Sequence, residues 1–107
     1  MIISEALKSS SIYPVPAKQI EKICIERGLL ISDTFDATVA VSESFKLAEA
    51  DLYMFLFIAP SVGEQEISIS MGDRENCRVK ANLVYKEYDD PKFNGTNYGF
   101  VGEDLNG

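Results

Sequence analysis

The chain has 107 residues, 46% of them apolar and 25% charged. That is the make-up of one soluble globular domain and excludes a wholly disordered chain. Its formal net charge is −7, which repels phosphate and argues against sequence-reading nucleic-acid binding and against docking on anionic lipid.

No apolar run reaches the ~20 residues that span a bilayer. The opening MIISEALKSS carries a glutamate and lacks the basic n-region of a secretory leader. The expectation is a cytoplasmic protein with no membrane partner. Residues 3–10 have the spacing of a short helix, with Ser4 as a candidate N-cap and Ile3 and Leu7 on one face. SSSIYPVP then breaks the pattern, and Pro16 suits the start of a second helix that runs to about Arg27. Ile20, Ile23 and Cys24 mark its apolar side, Arg27 adds an aliphatic stem, and Gly28 is the expected C-cap.

LLISDTFD reads as a connection with two buried leucines, and Asp33 or Asp36 can cap the next element. The third helix is expected to be the longest, over residues 37–59. Val41, Phe45, Ala48, Leu52, Phe55 or Leu56, and Ala59 keep the helical period. Its second half, LYMFLFIA, is apolar nearly all round, as in a helix that packs on more than one neighbour. After the loop SVGEQE comes ISISM, which alternates as a half-buried strand does. Gly72 turns the chain, and Asp73 is the expected cap of a fourth helix with the stripe Cys77, Ala81, Val84, Tyr85 and Tyr88. Asp89, Asp90 and Pro91 stop it. Residues 91–107, rich in Gly and Asn, read as an extended or mobile tail.

There is no histidine, which removes Ser–His and Cys–His pairs and most catalytic zinc sites. No glycine-rich phosphate loop and no calcium loop are present. Cys24 and Cys77 sit at apolar helical positions and read as small buried hydrophobes. Glu43, Glu49 and Asp51 share the long helix, where a solvated face is the plainer reading than a metal site. Asp51 stands apart because it is embedded in AEADLYMFLF, and a buried carboxylate needs hydrogen-bonding partners. Tyr13, Tyr53, Tyr85 and Tyr88 are core or interface tyrosines, since no basic residues are interleaved with them. No cofactor and no metal are expected, and the chain is not read as an enzyme.

ISISM is the best lead to function, because a strand presents amides and carbonyls that need a partner. Ile67, Ile69 and Met71 lie on one side, Ser68 and Ser70 on the other. Three readings are open besides an irregular loop over the core: pairing with residues 29–32, pairing with the tail near residues 98–101, or strand addition to another subunit.

The block KLAEADLYMFLFIAPSVGEQEISISMGDRENCRVKANLVYKEY resembles small bacteriophage and prophage head–tail connector proteins, also called adaptor or head-completion proteins. The likeness rests on Leu47, Ala48, Ala50, Asp51, Leu52 and Tyr53 of the long helix and on the break at Pro60, Ser61 and Val62. It extends to the serine-rich segment up to Ser70, to the helix opening at Asp73 and Arg74, and to Ala81, Asn82, Tyr85 and Tyr88. The resemblance covers residues 2–90 and implies a small helical subunit that forms rings between portal and tail. It implies that residues 67–71 belong to the loop that meets a neighbouring subunit or the portal, and that the tail orders on assembly.

The expected fold is mainly α, about four helices with a short extended segment or hairpin between the last two. Residues 1–90 form the connector-like domain and residues 91–107 the tail. The expected function is a structural subunit acting by ring self-association and docking to portal and tail proteins, a virion component if the prophage is active. Ile67, Ser68, Ile69, Ser70 and Met71 are the expected interface, with Tyr98 and Phe100 for tail docking. Two rival readings are a small acidic regulatory or inhibitor protein that binds one host protein, and an enzyme subunit with a carboxylate metal site.

Overall fold

Six residues are too few for a helix to persist alone in water, so α1 (Ile3–Lys8) depends on what its ends and its apolar face touch. Its first amides are answered from a distance. Ile3 N–H donates to the Asp33 carbonyl at 2.9 Å and Ser4 N–H to the Ile31 carbonyl at 3.1 Å. The Glu5 carboxylate accepts Ile2 N–H at 3.1 Å, and Ile2 forms an isolated antiparallel bridge with Thr34. Ile2, not Ser4, holds the N-cap position. Ile3, Ala6 and Leu7 are buried.

This computed structural model describes residues 1–11, 13–58 and 70–93. The remaining helices are α2 (Ala17–Glu26), α3 (Ala37–Ala40), α4 (Glu43–Ile58) and α5 (Met71–Glu87). The mainly α bundle expected from the periodicity forms, and among the described residues no helix is long and apolar enough to cross a membrane.

Helix α2 begins after Pro16, whose missing amide costs nothing at a helix start. It ends in a Schellman turn. Leu29 N–H reaches the Cys24 carbonyl at 2.8 Å, and Gly28 N–H reaches the Ile25 carbonyl at 3.1 Å. Gly28 has φ +75°, the left-handed conformation such a turn needs. Arg27 is therefore the C-cap residue, with Gly28 one position beyond it. Of the two leucines expected to be buried in the next connection, Leu29 packs against the core but Leu30 is exposed.

The long helix expected over residues 37–59 is two helices. Ser42 divides them. Its hydroxyl donates to the Val39 carbonyl at 2.7 Å and accepts Phe45 N–H at 3.2 Å, while its own carbonyl accepts Lys46 N–H at 3.1 Å. The side chain thus ends α3 and caps α4, the competition with backbone bonds that serine offers. Val41 lies at this break and is 69% exposed, not on the buried stripe. Asp36 caps α3, accepting Val39 N–H at 2.9 Å.

Helix α4 buries two faces, which explains its nearly all-round apolar second half. Phe45, Ala48, Leu52 and Leu56 join Ile3, Leu7, Ile20, Ile23 and Cys24 in one core. Leu47 and Ala50 join Ala81 and Tyr85 of α5 in a second, smaller one. Helices α4 and α5 run antiparallel: Asp51 meets Tyr85 near one end of the pair. At the other end, the Arg74 guanidinium donates to the Phe57 carbonyl at 3.0 Å. Cys24 and Cys77 are free thiols in the core, and burial pushes both pKa values up, so they act as small hydrophobes.

Ser70, not Asp73, caps α5. Its hydroxyl accepts Asp73 N–H at 3.1 Å, and the Asp73 carboxylate instead takes the Tyr13 hydroxyl. Helix α5 ends in a second Schellman turn, with Asp90 N–H on the Tyr85 carbonyl at 2.8 Å and Asp89 N–H on the Lys86 carbonyl at 3.2 Å. Here the left-handed position is Asp89, at φ +55°, where a side chain is unfavourable.

Asp89→Gly should therefore stabilise the fold by about 1 kcal/mol in chemical denaturation; an unmoved midpoint would show that the turn carries no such strain. Leu52 of α4, fully buried in the core it shares with α1 and α2, sets a second test. Leu52→Ala should cost about 2–5 kcal/mol, and a loss below about 0.5 kcal/mol would mean that this face of α4 is not the core.

Candidate functional site

The two Schellman turns aim two charged residues at one place. Arg27 closes α2, and Asp90 follows the turn of α5. Between them passes α4, carrying Asp51, which is only 6% exposed. The guanidinium grips the Asp51 carboxylate with both arms, Nε to Oδ2 at 2.6 Å and Nη2 to Oδ1 at 2.8 Å. Its third nitrogen, Nη1, donates to Asp90 Oδ2 at 2.8 Å. The Tyr85 hydroxyl donates to Asp51 Oδ1 at 2.6 Å, and Lys92 Nζ approaches the same oxygen at 3.3 Å. Asp90 Oδ1 accepts Lys92 N–H at 2.9 Å, which turns the chain back toward the bundle.

Burial, hydrogen bonds and charge together account for the ionisation states. Burial raises the Asp51 pKa, but the hydrogen bonds from Arg27 and Tyr85 and the charges of Arg27 and Lys92 outweigh it and hold the carboxyl below its usual range. Asp90 is depressed in the same way, burial opposing and Arg27 prevailing. The Arg27 pKa is raised, chiefly by its hydrogen bond to Asp51 against the cost of burial. Burial, then the bond to Asp51, raises the Tyr85 phenol. Asp51 is thus an ionised carboxylate with four donors on its two oxygens. Such a group is a fixed anchor and a poor general base, because its donors and the Arg27 charge hold it ionised and lower its affinity for a proton.

Of two surface concavities, one adjoins this anchor. A groove between α2 and α4 is floored by Ile23, Met54, Phe55 and Ile58 and bounded at one end by Tyr85 and Lys92. A smaller hollow on another face is lined by Ser10, Tyr13, Tyr53, Asp73 and Lys80, with Cys77 beside them. Among the carboxylates of α4, Glu49 accepts the Ser10 hydroxyl at 2.9 Å and Asp51 belongs to the anchor. No cluster of three or more candidate metal ligands forms among the described residues.

Of the residues singled out as an interface, Ser70 has extended backbone but serves as the α5 N-cap. Met71 is the first residue of α5, so the strand expected over residues 67–71 does not extend that far. The serine three residues ahead of Asp73 starts a helix there. Ile67, Ser68, Ile69, Tyr98 and Phe100 lie outside the described residues. The sequence marked Asp51 as a buried carboxylate in need of partners but did not name them. The helical period places Arg27 in the core by its stem alone, and the pattern makes Asp90 a helix stop and Lys92 part of the tail. The available signal was a basic residue at an apolar position beside a glycine, facing an acidic residue in an apolar run.

The sign of the pH dependence follows from the depressed carboxyls. Stability contributed by Asp51 and Asp90 is present in full above their unfolded value of ~3.9 and is lost as pH falls through the lower folded values. Denaturation midpoints should thus fall between about pH 7 and about pH 3, and Asp51→Asn should be less stable at neutral pH and flatter with acid. Tyr85→Phe should cost about 1–3 kcal/mol. An acid slope unchanged in Asp51→Asn would remove the anchor from the account.

Neither a curated protein nor a solved structure matches the chain. A family model described as a family of unknown function, DUF6706, matches residues 1–96 and so takes in all five helices, the Arg27–Asp51 anchor and Asp90. The chain belongs to the DUF6706 family.

Proposed function

We propose that this chain is a structural subunit of a phage or prophage head–tail connector, working by ring self-association and by docking to portal and tail proteins. The observation that carries the reading concerns the segment ISISM and its partner. Within the described residues the candidate is 29–32, and three main-chain groups of that stretch are already engaged. Leu29 N–H is bonded to the Cys24 carbonyl, the Leu30 carbonyl accepts Asp33 N–H, and the Ile31 carbonyl accepts Ser4 N–H. These bonds tie the connection to the turn of α2 and to the start of α1. That favours strand addition from residues 67–69 to another chain, where main-chain bonds supply affinity and alternate side chains supply selectivity.

Two further features support it. The residues that carry the resemblance pack together: Leu47 and Ala50 of α4 lie against Ala81 and Tyr85 of α5, with Tyr53 and Tyr88 alongside. They form an antiparallel hairpin whose two helices are joined by residues 59–70, the span that contains ISIS. The anchor also closes on itself, which suits a rigid assembly part better than a reacting centre. An acidic surface suits a channel through which DNA slides without phosphate ion pairs.

The test is light scattering after size exclusion, over a concentration series, alone and with portal protein. The expected result is a defined large oligomer for the native chain, lost in Ile69→Pro, which removes one ladder donor and leaves the described helices intact by circular dichroism. Monomer throughout, with or without portal protein, would contradict the connector reading and favour a small acidic protein that binds one host partner.

A further inference from the structure

The groove between α2 and α4 has an occupant within reach. Its floor combines Ile23, which is buried, Met54 and Phe55, which are half-buried, and Ile58, which is 64% exposed at the end of α4. A large aliphatic side chain left in water beside two half-buried apolar neighbours is a surface that burial would favour.

Lys92 forms part of one end of this groove, and the chain is held there by three bonds. Lys92 Nζ reaches Asp51 at 3.3 Å, Lys92 N–H reaches the Asp90 carboxylate at 2.9 Å, and Phe93 N–H reaches the Asp90 carbonyl at 2.9 Å. Fourteen residues, NGTNYGFVGEDLNG, follow Phe93. Their large apolar side chains fall mainly in one short stretch: Tyr98, Phe100 and Val101. The floor runs along α4 from Asp51 to Ile58, about 10 Å at the helical rise. Five extended residues beyond Phe93 span about 17 Å, so Tyr98 and Phe100 reach Ile58 with slack. A segment tethered this closely has an effective concentration of about millimolar, which a second copy matches only in concentrated solution.

We propose that residues 98–101 of the same chain dock in this groove in the free protein, with Tyr98 and Phe100 covering Met54 and Ile58. The inference stands on the groove and on the fixed exit at Lys92, and does not depend on the assembly reading.

Methyl-detected NMR on the full chain tests it, with isoleucine and methionine methyls labelled and contacts filtered to separate the same chain from a neighbour. The expected result is contacts from the Tyr98 and Phe100 rings to the Ile58 and Met54 methyls within one chain, unchanged on dilution. In the full-length variant Tyr98→Ser/Phe100→Ser those two methyl signals should move while that of Ile3, buried in the main core, stays in place. Contacts seen only between chains would overturn the proposal and make a second copy the occupant. Contacts from Ile67 or Ile69 instead, or methyl signals that the double variant leaves unmoved, would overturn it as well.

Discussion

One carboxylate governs how this bundle fits together. Asp51 lies in the middle of α4 with almost no solvent contact, and an ionised group in that position requires compensating charge and hydrogen bonds. The compensation comes from two other helices at their C-terminal ends. Helix α2 must stop so that Arg27 faces α4, and α5 must stop so that Asp90 meets the free arm of the same guanidinium. Both stops are Schellman turns, one using Gly28 and the other Asp89. A buried ion pair adds little net stability over an apolar substitute, but losing one member leaves the other uncompensated. The network therefore acts mainly on register. A slip of α2 or α5 along α4 would leave Asp51 or Arg27 buried without a partner.

That constraint also explains what the amino-acid pattern made legible. Helices α2 and α5 were readable because their apolar stripes keep the period of 3.6 and because Pro16, Gly28 and Pro91 punctuate them. The double packing of α4 was readable from a second half that is apolar nearly all round. The break at Ser42 was not, because serine also fits a helix interior and only its bonds to Val39 and Phe45 turn it into a cap. The start of α5 differs from the sequence expectation for a related reason. Ser70 fits the alternation of ISISM and fits an N-cap equally well, and the helix that follows decides between them. The partners of Asp51 lay 24, 34 and 41 residues away along the chain, distances at which periodicity carries no information.

The same geometry separates a fixed part of the molecule from the parts that can act. Arg27, Asp51, Tyr85 and Asp90 satisfy one another, and the 29–34 connection is committed to α1 through Ile31 and Asp33. Among the described residues, the groove ending at Ile58 lies open at the periphery. Membership of DUF6706 over residues 1–96 covers this helical platform.

The claim on which all of this rests is that Arg27 and Asp51 act as one unit in holding α2 to α4. A double-mutant cycle with Arg27→Met and Asp51→Leu, read by chemical denaturation, measures it directly. The account predicts that each single variant is strongly destabilised and that the double variant recovers much of the loss, with a coupling of about 1.5 kcal/mol or more. Single losses that simply add, with a coupling below about 0.5 kcal/mol, would contradict it and leave the register of the bundle to the apolar core alone.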